Sequence, residues 1–189
     1  MRVILASKSP RRKEILENIG IDFEIIVSDV DESSAETDPC RLVEDLSLSK
    51  AKAVVDTLDS MKDTLVIGCD TVVVNDNKIL GKPKSKKNAY EMISSFSGSS
   101  HKVISGLSFI YEGKALSKSE ITTVYFEKLT EEEINEYVDM TEPYDKAGGY
   151  AVQGYFSKYI KRIDGCYQNV VGMPVNLLHN MLKELKLKL

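Results

Sequence analysis

The stretch 64-TLVIGCDTVVV-74 constrains this chain more than any other. Its apolar run reads as a core strand. Asn75-Asp76-Asn77 marks a tight turn, and 78-KILG-81 reads as the return strand of a hairpin. Yet Asp70 sits in the middle of the run. A carboxylate between apolar flanks is costly unless it is paired, hydrogen-bonded or bound to a cation. Two readings are open. Asp70 is a structural acid that accepts backbone N–H groups or pairs with Lys82, or it is a functional group delivered by the strand. Thr71 and Lys82 also lie near the strand's end, where α/β proteins place ligands, and this favours the second reading.

The surrounding pattern alternates strands and helices. Residues 3–6 read as a short strand, and residues 7–20 as a loop entering a helix, with Ser9 as cap, Pro10 in the first turn and Gly20 as stop. A second strand is expected over 22–30 and an acidic loop over 31–38. A helix is expected from Pro39 to about Asp59, with Leu42, Leu46, Ala53 and Val54 on one face. Another helix runs from Ser85 to Phe96 and closes at Gly98. Two long strands, 102–112 and 115–129, meet at Glu112-Gly113-Lys114. Thr130 and Glu133 form a capping box for a helix to about Met140. Residues 143–154 are glycine-rich and polar. Residues 158–171 suggest strand, turn and strand, and a last helix starts at Pro174. Early alternation followed by an antiparallel piece points to an α/β protein with a mixed sheet.

The 189 residues suit one domain, or two lobes sharing a site. A net charge of −4 and a pI near 5.4 argue against a general nucleic-acid binder, though not against a local basic pocket. Cys40, Cys69 and Cys166 are odd in number and widely spaced, so reduced thiols are expected rather than a zinc site or disulfide framework. The first apolar run is too short for a signal peptide, and no run reaches membrane-spanning length. A soluble, cytoplasmic protein with no membrane partner is the expectation.

Several groups could carry chemistry. In 7-SKSPRR-12 a strand becomes a helix, where backbone N–H groups favour anions and Arg11 and Arg12 add charge-assisted donors. A polyphosphate cradle and a capped surface helix with solvated arginines fit the motif equally well. Lys50, Lys52, Lys82 and Lys146 are further cations. Lys82 lies in a constrained GKP segment, and Lys146 in DKAGGY, where glycines let backbone approach a ligand. Asp31 and Glu32 could join Asp70 around a hard cation or form a solvated acidic loop. His101 is a structural residue or a base, and His179 has no assigned chemistry. Tyr144, Tyr150, Tyr155 and Phe156 fit core packing better than base stacking.

Together, LASKSPRRKEIL at 5–16, GCDTVV at 68–73, GKP at 81–83 and SGSSHKV at 97–103 resemble the Maf family of nucleoside triphosphate pyrophosphatases. EPYDKAGGYAVQG at 142–154 and IDGCYQNVVGMPV at 163–175 extend the resemblance over nearly the whole chain, in the family's order. The resemblance implies a mixed, strongly bent sheet flanked by helices, with two lobes around a deep cleft, similar to inosine triphosphatases, and a single domain over 1–189. It implies cleavage between the α- and β-phosphates with Mg²⁺ or Mn²⁺, and it admits a homodimer. Asp70 matches the family's proton acceptor, and Arg11 and Arg12 its phosphate-side arginines. Glu32, Lys50 and Lys82 match other charged cleft positions, with Lys50 fitting the spacing better than Lys52; Ser7 and Lys146 are further candidate substrate-binding residues. Arg12, Thr71 and Gln153 match the marks of the branch that prefers dTTP and UTP. The Gln153 amide also offers one donor and one acceptor, which suits the O4 and N3–H edge of thymine or uracil. Ala151-Val152, Gly149 and Met173 depart mildly from the family pattern.

These residues imply a triphosphate met by Arg11, Arg12, Lys50, Lys82 and a divalent cation held by Asp70 with Glu32. Asp70 would also orient or deprotonate water, and the two roles compete for the same oxygens. Two rivals stand beside this reading. One is a nucleotidyltransferase, which the missing glycines after the first strand disfavour. The other is a non-enzymatic nucleotide-binding regulator of cell division.

Overall fold

The computed structural model describes residues 1–27, 29–31 and 33–188. In chain order the elements are β1 (Arg2–Leu5), α1 (Pro10–Asn18), β2 (Glu24–Ile25), α2 (Pro39–Val55), β3 (Thr64–Asn75), β4 (Lys78–Leu80), α3 (Lys86–Phe96), β5 (Ser100–Tyr111), β6 (Lys114–Phe126), α4 (Glu131–Val138), β7 (Ile160–Asp164), α5 (Tyr167–Val171) and α6 (Val175–Glu184). The strands form one sheet in the order β2-β1-β3-β5-β6-β7, with β4 paired to β3. β1 runs parallel to β2 and β3, while β3/β4 and β6/β7 are antiparallel, so the sheet is mixed as expected. The chain divides into two compact units. The first is Met1–Thr71 with Ser105–Glu120 and Gly172–Leu189, and the second is Val72–Ile104 with Ile121–Val171.

In the first unit, α1 starts at Pro10 as expected, but Ser9 makes no side-chain cap. Its N–H instead donates to Ser7 Oγ at 3.2 Å. Gly20 ends the helix at φ 75°, with Gly20 N–H to Glu17 O at 3.0 Å and Ile21 N–H to Leu16 O at 3.1 Å, a paired αL stop. The expected second strand shrinks to two residues, with Ile25 and Val27 left exposed. Helix α2 is capped by Asp38, which accepts from Arg41 N–H at 2.9 Å, and it ends at Val55, short of Asp59.

The buried face of α2 is Val43, Ser47, Ala51 and Val54. Only Val54 belongs to the face expected from the apolar pattern. Strand glycines explain the difference. A Cβ on Gly68 of β3 would fall inside the Ser47 carbonyl, 3.0 Å from its carbon, and one on Gly106 of β5 would sit 2.7 Å from Glu44 N. Helix backbone therefore rests directly on strand backbone, and the small residues Ser47 and Ala51 point inward where leucines would not fit.

In the second unit, Asp76 and Asn77 turn the β3/β4 hairpin with φ 47° and 60°, the backbone that two-residue hairpin loops require. Ser85 caps α3 through Asn88 N–H at 3.1 Å, and Thr130 and Glu133 form the expected capping box on α4. Residues 158–171 differ from expectation. β7 is the first strand, but the second segment is the short helix α5. Asn169 decides this. Its buried amide donates to Val103 O at 3.1 Å and Thr122 Oγ1 at 3.0 Å, and its own N–H closes a helical turn on Cys166 O. Phe96, Phe126, Tyr150 and Phe156 build an aromatic core, and His101 stands inside it, 4.7 Å from Phe96 and 5.0 Å from Phe126 between ring centroids.

Candidate active site

The first unit gathers five of the sequence-predicted residues into two adjoining arrangements. Lys50 Nζ donates to Asp70 Oδ1 at 2.5 Å, and both side chains are largely covered, at 17% and 13% exposure. The geometry follows from the glycine contact. Gly68 admits Ser47 of α2, Lys50 lies about one turn further along the helix, and Asp70 lies two residues further along β3. The lysine thereby reaches the acid that the apolar strand carries.

Beside it, Arg12 works as a fork. Its Nε donates to Gly172 O at 3.0 Å, one terminal nitrogen to Ser7 Oγ at 3.1 Å, and the other to Thr71 Oγ1 at 3.2 Å. Thr71 Oγ1 also lies 2.8 Å from the hydroxyl of fully buried Ser105. Arg12 thus ties the start of α1, the middle of β3 and the turn before α6 to one another. Burial pushes the Cys69 thiol up, so it stays protonated and donates to Gly172 O at 3.3 Å. It is no nucleophile.

The second unit carries Lys82, Lys146 and Gln153. Gly148 N–H donates to Gly81 O at 3.1 Å, so the segments bearing Lys82 and Lys146 are fastened together. The two left-handed glycines, Gly148 and Gly149, make this possible, because a Cβ on them would meet Val73 and Pro83 at 3.0 Å. Lys82 is exposed, whereas Lys146 pairs with Asp145 at 2.6 Å. Gln153 is exposed in a turn closed by Gly154 N–H to Ala151 O at 3.1 Å.

A family profile described as Maf-like protein matches residues 2–185. The chain belongs to the Maf family. It is 45% identical over 185 residues to a dTTP/UTP pyrophosphatase of Thermoanaerobacter sp. (strain X514), covering 97% of this chain and 96% of that one. It is 46% identical over 191 residues to a dTTP/UTP pyrophosphatase of Clostridium botulinum (strain Okra / Type B1), covering 99% and 98%. The solved Staphylococcus aureus Ham1 protein shares the fold, with a TM-score of 0.55 and 13% identity over 97% of this chain and 99% of that chain.

Within this Maf chain, Asp70 is the described carboxylate of the expected cation pair, and its Oδ1 accepts from Lys50. Hard cations of the magnesium type take one or two carboxylates and complete their shell with phosphate oxygens and water. Among the described residues no cluster of three or more metal-binding side chains occurs. Glu32, the second expected ligand, lies outside the described residues. Among those described, no helix is long and apolar enough to cross a membrane, and all three cysteines are free.

Two residues escaped the sequence reading. Ser105 is a serine in an apolar strand, and a hydroxyl between the apolar residues of 103-VISGLSFI-110 is the available signal. The Gly172 carbonyl, which accepts from both Arg12 and Cys69, has no side-chain signature at all.

Proposed function

We propose that this Maf chain hydrolyses dTTP and UTP between the α- and β-phosphates, releasing the nucleoside monophosphate and pyrophosphate. The observation that carries the reading is the Asp70–Lys50 pair, a carboxylate and an ammonium held together at 2.5 Å in the middle of an apolar strand. Lys50 fixes one carboxylate oxygen, and the other is aimed by the same contact. Asp70 orients a water and takes its proton as the water oxygen bonds to the α-phosphorus. The bond from that phosphorus to the bridging oxygen breaks, and the electron pair leaves with pyrophosphate.

The triphosphate charge falls to Arg11, Lys82 and Lys146, with Ser7 and Arg12 shaping the phosphate side and holding Thr71. Gln153 reads the base edge. A divalent cation, Mg²⁺ or Mn²⁺, held by Asp70 and Glu32, would neutralise phosphate charge and stabilise the leaving group. Cytoplasmic placement accords with the three free thiols, and a homodimer belongs to the same reading.

The test is a nucleotide panel with Mg²⁺ or Mn²⁺, scoring pyrophosphate and free phosphate separately, with Asp70→Asn alongside. Pyrophosphate should come mainly from dTTP and UTP, and the variant should lose on the order of 10²- to 10⁴-fold in turnover. Tight nucleotide binding without turnover would make the protein a regulator instead. Full activity in Asp70→Asn would remove the assigned base.

A further inference from the structure

Gln153 cannot select a base unless its turn is held still. The side chain is exposed, so its position depends on the backbone on either side. Val152 is buried on one side. On the other, Glu142 holds the chain. Its Oε2 accepts from Tyr155 N–H at 2.9 Å, and its Oε1 accepts from the Tyr137 hydroxyl at 2.9 Å. The same hydroxyl reaches Gly149 O at 3.1 Å, and its ring is fully buried against Phe156. Burial and the neighbouring carboxylate push the Tyr137 phenol up, so it remains a donor. Gly154 lies flat on the carboxylate, and a Cβ there would come within 2.5 Å of Glu142 Cδ. A charged acceptor thus clamps the residue two positions after Gln153, and a glycine is needed for the clamp to close.

We propose that Glu142, braced by Tyr137, is the positioning residue for base selection, setting the Gln153 turn through Gly154 and Tyr155. The inference rests on the dTTP/UTP reading above and deepens it. Glu142 touches no substrate. Its loss loosens the turn, and a misplacement of about 1 Å in a positioning group costs on the order of 10²-fold. That loss falls only on nucleotides that gain from Gln153. Poor substrates such as GTP have nothing there to lose.

The experiment measures kcat/KM for dTTP, UTP, CTP and GTP in wild type, Glu142→Ala, Glu142→Gln and Tyr137→Phe. Glu142→Ala should lose about 10- to 100-fold on dTTP and UTP, mostly in KM, with GTP nearly unchanged, so that the preference contracts. Glu142→Gln should recover most of it. Its amide oxygen can accept from Tyr155 N–H while its NH₂ donates to the Tyr137 oxygen, whose proton turns to Gly149 O. Tyr137→Phe removes one arm of the clamp without removing the acid. It should show a smaller contraction, and it decides the matter if Glu142→Ala does not fold. An equal loss on all four nucleotides, or no loss in either variant, overturns the inference while leaving the proposed reaction standing. A wild type without preference for dTTP and UTP overturns both.

Discussion

Replacing Gly68 by alanine should damage catalysis from inside the core. Nothing polar is removed and no charge is changed. The added methyl falls inside the Ser47 carbonyl, 3.0 Å from its carbon and 3.1 Å from Ala51 Cβ. Backbone cannot rotate away as a side chain can, so α2 must retreat by about 1 Å, and overpacking of this kind costs about 1–3 kcal/mol. Lys50 rides on that helix about one turn beyond the contact and moves with it. Its 2.5 Å bond to Asp70 then opens or bends, and a shift of that size at a catalytic group costs on the order of 10²-fold in turnover. The assay pairs urea unfolding with kcat/KM on dTTP. Gly106→Ala is the control. It strains the same helix near Val43, seven residues or about 10 Å from Lys50. It should therefore cost as much stability and much less turnover. Opening the contact from the helix side with Ala51→Gly should not rescue Gly68→Ala, because the main obstacle is a carbonyl. Native stability and full turnover in Gly68→Ala would refute the argument.

Other expectations follow from the same contacts. His101 is 3% exposed, neither ring nitrogen has a hydrogen-bond partner among the described residues, and burial lowers it from 6.5 to about 4. The unfolded chain therefore binds the proton first as pH falls. Stability present above pH 6.5 is lost down to about pH 4, by roughly 3 kcal/mol, and His101→Phe should flatten that part of the urea-midpoint profile. Arg12→Lys keeps the charge but not the fork that serves Gly172 O, Ser7 and Thr71. Turnover on dTTP should fall about tenfold or more, and unchanged kinetics would show that the fork is not needed. Gly154→Ala should reproduce the narrowed base preference of Glu142→Ala, read by the same four-nucleotide comparison.

Much of the fold was legible because it is written in side chains. The β3 run, the Asp76-Asn77 hairpin, the Thr130–Glu133 box and the Pro10 start each depend on local chemistry, and each forms where the pattern places it. The misreadings share a cause. The face of α2 was assigned from its leucines, but the helix is seated by strand glycines that accept its backbone, a contact that leaves no apolar periodicity. The segment Tyr167–Val171 reads as a strand yet forms a helix, because its deciding bonds, from Asn169 to Val103 O and Thr122, reach chain positions more than 40 residues away. For the site, Asp70 was visible as an acid out of place, and Lys50 was visible only as one lysine among several. What selects it is its height on a helix whose depth is set by Gly68. Arg12 was visible as a cation, but its engagement with a main-chain carbonyl was not.

The same device recurs in each unit considered alone. In the first, Gly68 and Gly106 bring helix backbone onto the strands, and the charged pair Lys50–Asp70 stands beside that contact. In the second, Gly148 and Gly149 bring the 142–154 segment onto Val73 and Pro83, and Gly154 brings it onto Glu142. Lys146 and Gln153 stand beside those contacts. A flexible lysine or glutamine has too many rotamers to be placed by its own packing, and ordering it costs up to about 2 kcal/mol of entropy. Fixing the backbone one or two residues away is the cheaper solution. Main-chain contacts at van der Waals distance cannot slide without breaking, so the polar group inherits a position accurate to a fraction of an ångström. Glycine is the only residue that permits them. The motifs of this chain are therefore rich in glycine because glycine places the groups that do the chemistry, and substitutions at those glycines should show their largest effects in kinetics.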